Sequence, residues 1–393
     1  MARLIIAGGG IAGLAAAISA ASNGYTVVVL ERQPDFRELG AGIQLAPNAF
    51  RALEHLGVAD QVRARSVFID ELRLMDAVSG DQIARMNLGD DFRERFGQPY
   101  AVVHRGDLYE PLLRACREHP AITLRGDCRV TGYQLEPEGV SVRLASGERI
   151  FAAGLVGADG LRSQVRGQLL GDGPPRLSGH TIYRSVVPMA NVDVQLRSNS
   201  ATLWAGPGYH MVHYPIAHAA SLNLAITIDD GAQQEVIGRP VTSEQVLARF
   251  PTAHPGILEL LRLAPEWHSW VLCDRDPVPS WTDGPVVLLG DAAHPMLQYA
   301  AQGAAMALED AVGLDAVLSQ SSDLVEIFAA FTTLRSSRVA RIQLLSRQIG
   351  DEIYHPTGAV AHERDRWFGE LTDRDQLDQV SWLYGYEATP VRR

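Results

Sequence analysis

The sequence predicts an α/β protein in which a Rossmann-like nucleotide-binding domain carries an inserted mixed or antiparallel sheet and is followed by a C-terminal helical region. Residues 3–32 read in order as strand, glycine turn, helix and strand, the start of a parallel sheet with a crossover helix. Residues 161–283 contain segments with the period-two alternation of antiparallel strands. After Gly303 the apolar residues recur at helical spacing.

The strands of the predicted nucleotide-binding sheet are not contiguous in the chain. The stretches "GLVGADG" (154–160) and "GPVVLLGDAAHP" (284–295) are compatible with the sheet that opens the sequence. The inserted sheet lies between them, and its strands include "HTIYRSVVPM", "YHMVHYPI" and "LNLAITI". We therefore predict a nucleotide-binding domain of residues 1–75, 100–170 and 275–330, a substrate-binding sheet domain of 76–99 and 171–274, and a C-terminal helical region of 331–393.

The composition of the chain limits the kinds of partner and the location that can be expected. The chain has 393 residues, 46% of them hydrophobic, and a formal net charge of -11, which argues against a nucleic-acid partner because such binding relies on clustered Lys and Arg. No apolar run is long enough to cross a bilayer and no leader pattern opens the sequence, so we expect a cytoplasmic protein. The three cysteines, Cys116, Cys128 and Cys273, are scattered, and neither a disulfide framework nor a metal site is predicted.

The opening glycines have the spacing of a dinucleotide-binding turn. Gly8, Gly10 and Gly13 form GxGxxG after the strand "RLIIA", and Glu31 closes the strand "TVVVLE". The first glycine permits a tight turn, the second lets a pyrophosphate approach the backbone, and the third lets helix and strand pack closely. Glu31 is then placed to accept hydrogen bonds from a ribose diol. The motif predicts a dinucleotide and leaves NAD and FAD open.

The apolar residues of the last third of the chain predict an amphipathic helix packed on the body of the protein. We interpret them as core residues. They are Phe328, Phe331, Ile342, Leu345, Ile349 and Ile353.

Three further motifs carry a family resemblance. "GLVGADGLRSQVR" (154–166), "VVLLGDAAHPMLQYAAQGAAMALEDA" (286–311) and "VVHRGDL" (102–108), together with the opening glycines, resemble the fingerprints of the FAD-dependent single-component aromatic hydroxylases, the group A flavoprotein monooxygenases. The resemblance spans almost the whole chain and implies that the dinucleotide is non-covalently bound FAD.

The resemblance also implies roles for residues of these motifs. In such hydroxylases Asp291 would hold the ribitol or ribose side of FAD, Arg105 would contact the cofactor, and Asp159 would help bridge FAD and the reduced nicotinamide. A helix beginning near Gly303 would aim free N–H groups at the flavin N1 and C2 carbonyl. The predicted cofactor-binding residues are Gly8, Gly10, Ala12, Gly13, Glu31, Arg32, Gln44, Arg105, Asp159, Asp291, Gly303 and Ala304.

A hydroxylase of this kind needs a group that draws a phenol toward phenolate, in a pocket that excludes water. In "GYHMVHYPI" strand alternation places His210, Val212 and Tyr214 on one face and the residues between them on the other. One face therefore carries an imidazole and a phenol. His210 is the candidate base.

Within the family the likeness is greatest to 3-hydroxybenzoate 6-hydroxylases, on "HPMLQY", the His210 and Tyr214 pair, "GQPYAVVHRGDL" and the "WLYGY" segment. This implies that His210 and Gln298 face the substrate hydroxyl and that Tyr214 contributes to substrate binding. Tyr100 and Tyr299 are candidate pocket walls, with core packing an equal or better interpretation for Tyr299. Pro295 is expected to border the oxygen-reaction side of the flavin, where it excludes water.

The function that the resemblance implies is hydroxylation of 3-hydroxybenzoate to 2,5-dihydroxybenzoate through a flavin C4a-hydroperoxide, with O2 and with NADH, or NADPH, as co-substrate. Salicylate 1-monooxygenase and 6-hydroxynicotinate 3-monooxygenase are the alternatives nearest to it. A flavin-dependent halogenase or reductase and a non-catalytic redox sensor are more distant, and the WxWxIP signature of many halogenases is absent.

Two features of the predicted enzyme stay open at this stage. The group that neutralises a substrate carboxylate is not evident, since Arg184 in "YRSVV" fits a structural role equally well. A homodimer is expected only because many enzymes of this size are symmetric dimers.

Overall fold

The structure, a computed structural model, describes residues 2–38, 40–264 and 266–388. Its strands are numbered in chain order. They are Arg3–Ala7 (β1), Thr26–Leu30 (β2), Gly42–Leu45 (β3), Val67–Phe68 (β4), Glu71–Asp76 (β5), Gln82–Asn87 (β6), Ala101–His104 (β7), Ile122–Arg125 (β8), Val130–Glu136 (β9), Gly139–Leu144 (β10), Arg149–Ala152 (β11), Gly154–Gly157 (β12), Arg176–Pro188 (β13), Ser200–Gly206 (β14), Tyr209–Ile216 (β15), Ser221–Ala232 (β16), Arg239–Val241 (β17), Trp267–Asp274 (β18), Thr282–Asp283 (β19) and Val286–Leu288 (β20).

The helices are numbered in the same way, and short 3-10 turns are left unnumbered. They are Ile11–Ser22 (α1), Pro47–His55 (α2), Ala59–Arg63 (α3), Asp90–Phe96 (α4), Arg105–Glu118 (α5), Gln164–Leu170 (α6), Ser243–Leu247 (α7), Pro255–Leu263 (α8), Gly303–Leu318 (α9), Leu324–Gln348 (α10), Gly358–Glu370 (α11) and Asp373–Tyr384 (α12). A π-helix, Ile349–Tyr354, follows α10 directly.

The predicted nucleotide-binding sheet is present and has six strands. Their order is β19, β20, β12, β1, β2, β8, with every pair parallel except the edge pair of β19 and β20. The apolar side chains of β1 and β20 are fully buried, as strands covered on both faces require. The prediction that 154–160 and 284–295 contribute strands to the opening sheet is confirmed.

The predicted inserted sheet is also present, and it is larger than the three quoted strands. Its order is β17, β18, β13, β16, β15, β14, β5, β6, and only the pair of β5 and β14 is parallel. The three quoted segments are β13, β15 and β16. Strand β5 begins at Glu71, so the sheet takes in residues before the predicted boundary at 76. Two three-stranded sheets, β3–β7–β4 and β11–β10–β9, complete the strand structure.

The C-terminal part is helical, and α10 begins at Leu324, so the predicted boundary at residue 331 falls inside this helix. The boundaries of the domains therefore follow the sheets only in part, and the division into domains stays a prediction. Residues 389–393 of the predicted helical region lie outside the described residues.

The predicted apolar stripe of the C-terminal helix divides into two parts. Phe328, Phe331 and Ile342 are buried in the core, as expected. The expectation for the other half was wrong, because Leu345, Ile349 and Ile353 are only half-buried and line a cavity. The apolar residues thus pass from the core to the cavity wall toward the end of α10 and in the π-helix that follows it.

Two predicted absences concern the described part of the chain. Cys116, Cys128 and Cys273 are free thiols, and no cluster of potential metal ligands occurs among the described residues. None of the described helices has the length and apolar character needed to cross a membrane.

Candidate active site

A cavity of about 1870 Å³ lies at the carboxyl ends of β1, β2 and β12 and extends over one face of the eight-stranded sheet. This edge of a parallel sheet is where α/β proteins bind ligands. The predicted site residues that line the cavity are Gly8, Gly10, Ala12, Glu31, Arg32, Gln44, Tyr100, Arg105, Asp159, His210, Tyr214, Asp291, Gln298, Tyr299, Gly303 and Ala304.

Two predicted site residues do not line the cavity. Gly13 packs α1 against the glycine turn, since a Cβ atom there would lie 1.9 Å from the carbonyl oxygen of Gly8. Pro295 is buried, and its carbonyl oxygen accepts a hydrogen bond from Nε2 of Gln343 at 3.1 Å. Met296, the next residue, lines the cavity instead.

The glycine turn separates structural from ligand-facing positions. Gly8 has φ of +109°, and a Cβ atom there would lie 2.3 Å from the carbonyl oxygen of Ala158. Gly10 is the N-cap of α1, and a Cβ atom there would meet nothing closer than Oε1 of Glu38 at 3.7 Å. Of these two glycines, Gly8 is therefore required by the protein's own packing. At Gly10 a side chain would not clash with the protein and would occupy cavity space that a ligand can use.

Glu31, which directly follows β2, stabilises this turn through two hydrogen bonds. Oε2 of Glu31 accepts a hydrogen bond from the N–H of Gly9 at 2.9 Å, and Oε1 accepts one from the N–H of Gln33 at 2.9 Å. Each carboxylate oxygen keeps a further lone pair. Glu31 can therefore fix the turn and still accept from a ligand in the cavity.

An ion pair stands beside the same turn. Arg105, the first residue of α5, donates from Nε to Oε2 of Glu38 at 2.9 Å and from one Nη to Oε1 at 3.1 Å. Close by, Tyr100 donates a hydrogen bond to Oε1 of Gln44 at 2.7 Å. Both predicted cofactor residues of this region, Gln44 and Arg105, thus contact protein groups at the cavity wall.

The two aspartates of the later motifs have different environments. Asp159 accepts hydrogen bonds from the hydroxyl of Ser163 and from the N–H of Gln164 at the start of α6. Burial raises the pKa of its carboxyl although these hydrogen bonds oppose the rise. Asp291 follows β20 and is exposed to the cavity. Asp159 therefore has a structural bond to α6, whereas Asp291 is open to a ligand.

Helix α9 points its N-terminus into the cavity. Its first residues, Gly303 and Ala304, line the cavity, and no side chain caps the helix. The Gln302 side chain is held away from the capping position because its Oε1 accepts a hydrogen bond from Nδ2 of Asn48 at 2.9 Å. The free N–H groups of the first turn carry partial positive charge.

A buried ion network fixes the loop after β20 onto α9. Asp310 accepts from the N–H of Gly290 at 3.0 Å, lies 2.5 Å from Nε2 of His294, and pairs with Nε of Arg335 at 2.8 Å. Burial alone raises the pKa of Asp310, but the charges of His294 and Arg335 outweigh it, so the pKa is lowered. Asp310 lies within the motif of residues 286–311, and no sequence signal marked its role.

The predicted alternation of β15 is observed. His210, Val212 and Tyr214 line the cavity, while the Met211 side chain is fully buried in a hydrophobic cluster behind the sheet. His213 is buried on that side as well and stacks on an indole ring of the sheet. The cavity face of β15 therefore carries the imidazole and the phenol together.

His210 is a buried imidazole at the wall of the cavity. Its side chain is 2% exposed, and Nδ1 lies 2.7 Å from Nε2 of His355. Burial lowers the pKa of His210 well below its ordinary value, and the neighbouring rings of His355 and His180 lower it further. His355 lies outside the motifs, and no sequence signal marked it.

Arg184 on β13 reaches the same cavity. An Nη atom donates to Oε1 of Gln298, and the guanidinium lies 5.7 Å from the centre of the Trp270 ring. In contrast to Arg105, it forms an ion pair with no carboxylate among the described residues. Partial burial lowers the pKa of the Arg184 guanidinium. The sheet register places Arg184 opposite Ala225 on β16, which in turn lies opposite Val212.

The two tyrosines near the imidazole, Tyr214 and Tyr299, are both buried at the cavity wall. Tyr214 packs on Gly42, where a Cβ atom would lie 2.3 Å from its ring. Tyr299 hydrogen bonds to Nδ1 of His180 at 2.5 Å, and its carbonyl oxygen accepts from the Tyr354 hydroxyl at 3.0 Å. Burial raises the pKa of the Tyr214 and Tyr299 hydroxyls. Both phenols therefore stay protonated.

Comparison with known proteins identifies the family. A family described as FAD binding domain matches residues 1–322. The 3-hydroxybenzoate 6-hydroxylase 1 of Aquipseudomonas alcaligenes is 46% identical over 385 residues, which cover 98% of this chain and 98% of that protein. The chain belongs to the family of FAD-dependent aromatic hydroxylases.

More distant relatives of the hydroxylase are named for other aromatic substrates. The 6-hydroxynicotinate 3-monooxygenase of Bordetella bronchiseptica is 33% identical over 349 residues, 88% of this chain and 90% of that protein. A salicylate hydroxylase solved as a substrate complex has a TM-score of 0.83 at 24% identity, covering 98% of this chain and 96% of that one. The structural likeness confirms the fold.

The cavity of the hydroxylase fits FAD. Its volume exceeds the ~1,000 Å³ upper range of small-molecule pockets, so an extended dinucleotide and a small aromatic acid can share it. The backbone at Gly10 leaves the space of a side chain free, and a Cβ atom at Gly303 would meet nothing within 4 Å. The N-termini of α1 and α9 supply positive potential at these two glycines.

Proposed function

We propose that the hydroxylase converts 3-hydroxybenzoate, NADH, O2 and a proton into 2,5-dihydroxybenzoate, NAD⁺ and water. The observation that carries the proposal is the grouping of three side chains at one end of the cavity. A neutral imidazole (His210), an amide (Gln298) and a guanidinium without an anionic partner (Arg184) line the same space. A ring that bears both a hydroxyl and a carboxylate complements these groups.

Arg184 is the proposed receiver of the substrate carboxylate. A partly buried guanidinium without a carboxylate partner is costly, because the charge has lost water without gaining an anion. An aromatic carboxylate in the cavity would supply that anion and could bind the guanidinium in bidentate fashion. The "YRSVV" segment by itself leaves the role of Arg184 open, and the lack of a carboxylate partner among the described residues supports this proposal.

Gln298 is the proposed donor to the substrate hydroxyl oxygen. A guanidinium can only donate hydrogen bonds, so the contact with Arg184 requires the amide oxygen of Gln298 to face it. The amide NH2 is then the group that remains for the cavity. It can donate to a phenol oxygen and stabilises that oxygen more strongly as negative charge develops.

His210 is the proposed base. Nδ1 is engaged by His355, so Nε2 is the nitrogen that remains for the substrate proton. Because burial keeps the imidazole neutral, the acceptor is available throughout the physiological pH range. Tyr214, on the same face of β15, is the proposed wall of the substrate site.

We propose that the cofactor is held by the glycine turn at Gly10, by Glu31 and Asp291, and by the N-terminus of α9. Bound FAD, once reduced by the nicotinamide, supplies the activation of O2 that ring hydroxylation requires. The protein's part is to exclude water and to raise the electron density of the ring by removing the phenol proton.

Salicylate and 6-hydroxynicotinate are the competing substrates. Each also carries a carboxylate and a ring hydroxyl, so the three side chains accept any of the three acids in principle. The distance between carboxylate and hydroxyl on the ring decides which acid reaches Arg184 and His210 together. The meta arrangement is favoured because relatives at 39–46% identity are named as 3-hydroxybenzoate 6-hydroxylases.

The test is NADH oxidation in air by the FAD-loaded enzyme, with 3-hydroxybenzoate, salicylate and 6-hydroxynicotinate offered separately and the products identified by chromatography. We expect stimulated oxidation with 3-hydroxybenzoate and accumulation of 2,5-dihydroxybenzoate. If the enzyme hydroxylates salicylate or 6-hydroxynicotinate in preference, that acid replaces 3-hydroxybenzoate as the proposed substrate. An FAD-loaded enzyme stimulated by none of them would refute the hydroxylase function and favour a redox sensor.

A further inference from the structure

A second histidine lies directly behind the proposed base. His355 Nε2 is 2.7 Å from His210 Nδ1, and the two side chains are 8% and 2% exposed. His210 lines the cavity, whereas His355 does not. The pair therefore connects the cavity wall to a position behind it through one hydrogen bond.

The main chain holds His355 in place. Its N–H donates to the carbonyl oxygen of Gly350 at 3.0 Å, and its carbonyl oxygen accepts from the N–H of Gly208 at 3.3 Å, next to β15. It follows the π-helix Ile349–Tyr354 immediately. Single π-helical turns inside helices occur frequently at functional sites, and this one turns the chain so that His355 meets His210.

The other titratable groups around the pair are aromatic or lie at a distance. The His180 ring centre is 4.9 Å from that of His355, and Tyr354 and Tyr299 lie 4.7 Å and 5.1 Å from that of His210. The carboxylates of this region face His180 instead: Asp229 lies 3.9 Å from its Nε2, and Asp351 also acts on it electrostatically.

No carboxylate among the described residues therefore touches His210 or His355 to hold a proton there. Burial lowers the pKa of His210 and lowers that of His355 to about 3, and the His180 ring lowers both further. A proton that His210 accepts has no stabilising partner in the site, so it must move on.

We propose that His355 relays the proton taken by His210 from the substrate hydroxyl to solvent. The inference rests on the proposed function, in which His210 is the base. His355 does not touch the substrate and acts through His210, so it is a positioning and relay residue.

The proposed transfer balances in three concerted or successive movements. At rest, Nδ1–H of His210 donates to Nε2 of His355, whose own proton is on Nδ1. The phenol proton passes to Nε2 of His210, the Nδ1 proton of His210 passes to Nε2 of His355, and the Nδ1 proton of His355 passes to water. The substrate is left as phenolate, both imidazoles stay neutral, and one proton enters solvent. The relay is ready again when the ring protons of His210 and His355 have returned to their Nδ1 atoms.

The test follows proton release when the oxidised, FAD-loaded enzyme is mixed with 3-hydroxybenzoate in weak buffer containing a pH-indicator dye, with phenolate absorbance recorded in parallel. For the wild type we expect phenolate formation and proton release at the same rate. In His355→Ala we expect both to slow by ~10²-fold, within the range of general acid–base effects. The Kd for the substrate should change by less than ~3-fold, since His355 makes no contact with the cavity.

Two controls separate relay from packing. Imidazole added to His355→Ala should restore the rate, which a purely structural role does not allow. His362→Gln, altered at an exposed histidine that does not line the cavity, should release the proton at the wild-type rate.

Each outcome bears on the proposal. Unchanged proton release in His355→Ala would overturn the relay and leave the proposed function intact. Slow release that imidazole fails to restore, in a variant with normal FAD content and melting temperature, would overturn it as well. A wild-type enzyme that turns over 3-hydroxybenzoate without phenolate formation would refute His210 as the base, and the relay with it.

Discussion

At the residue scale, the site is defined by which charged side chains lack a partner. Ten arginines line the cavity, and five of them form an ion pair with a carboxylate, as Arg105 does with Glu38 and Arg73 does with Glu71. Arg184 has only the amide of Gln298. The other four arginines that pair with no carboxylate among the described residues, Arg32, Arg37, Arg129 and Arg341, are exposed, whereas Arg184 is partly buried. We therefore propose that selectivity for an acid depends on this partly buried charge.

This gives a prediction for Arg184→Gln. A charge-assisted hydrogen bond contributes about 1.5–3 kcal/mol, so the Kd for 3-hydroxybenzoate should rise by about 10- to 100-fold. Binding of the neutral 3-hydroxybenzamide should change little, because its hydroxyl contacts are retained. Titration of flavin absorbance with both ligands checks this.

The matched control is Arg85→Gln. Arg85 also lines the cavity, but its Nε lies 3.7 Å from Oε2 of Glu71. Equal losses for acid and amide in Arg184→Gln, or an equal loss of acid binding in Arg85→Gln, would contradict Arg184 as the carboxylate receiver.

The glycines of the turn give a second prediction at this scale. In Gly10→Val the fold should persist and FAD should be lost, because the new side chain enters only the cavity. In Gly8→Ala the folded state itself should lose about 1–3 kcal/mol, since the Cβ atom meets the Ala158 carbonyl and φ is positive. Absorbance at 450 nm and urea unfolding separate the two effects.

Gly167→Val serves as the control for both glycine variants. A Cβ atom at Gly167 would meet nothing within 4 Å, and this residue does not line the cavity. It should bind FAD normally. A fully loaded, yellow Gly10→Val protein would refute the assignment of the turn to the cofactor.

Among the secondary-structure elements, helix α9 contributes to the site in two ways. Its N-terminus opens onto the cavity, and its middle holds the loop after β20 through Asp310. The loop carries Asp291 and leads to Gln298, so the position of both depends on one buried carboxylate. The ion network thus connects the proposed cofactor end of the cavity, at Asp291, to the proposed substrate end, at Gln298.

Asp310→Asn should destabilise the protein by about 1.5–3 kcal/mol, because the buried Arg335 then keeps only Glu309 as an anionic partner. The lowered pKa of Asp310 makes its contribution present above the unfolded value of about 3.9 and lost as pH falls through the folded value. The variant should therefore lose less stability than the wild type below about pH 4. Urea unfolding at pH 7 and pH 3.5 measures both effects.

The control lies on the same helix. Asp315 pairs with His55 at 2.8 Å, and both side chains are partly exposed. Asp315→Asn should cost no more than about 1 kcal/mol. A cost for Asp310→Asn in that same small range would show that the network does not hold the loop.

On the scale of the whole molecule, several histidines are folded in neutral form. Burial lowers the pKa of His213 to about 4, with Arg73 adding to the effect, and lowers that of His355 to about 3. In the unfolded chain a histidine protonates near pH 6.5. Folding stability from these residues is therefore present above pH 6.5 and lost as pH falls from there toward the folded values.

For His213 alone, this amounts to about 2 kcal/mol lost by pH 5, with the shift as given. His213 is remote from the cavity face of β15, so His213→Leu should keep the substrate site. We expect the variant to show a flatter decline of unfolding free energy between pH 7 and pH 5. The exposed His362 offers the control His362→Gln, for which the decline should match the wild type.

Much of the fold could be predicted because its signals are local. Strand β1, the glycine turn, α1 and β2 each have a periodicity or turn chemistry that a short window contains. The cavity face of β15 was predicted on the same basis, since side-chain direction alternates along a strand. The boundaries at 76 and 331 were less well placed, because strand β5 and helix α10 are defined by what they pair with and pack on.

From the sequence alone follow a dinucleotide as the class of cofactor, a shared sheet for the strands that carry its motifs, and the face of β15 on which His210 lies. Folding alone puts Arg184 where it pairs with no carboxylate of the described residues, turns the amide oxygen of Gln298 toward that guanidinium, and places His355 behind His210. Those facts depend on partners more than a hundred residues apart in the chain. Whether a charge is paired, or an imidazole dry, is a property of the neighbours that folding brings together, and no local pattern encodes it.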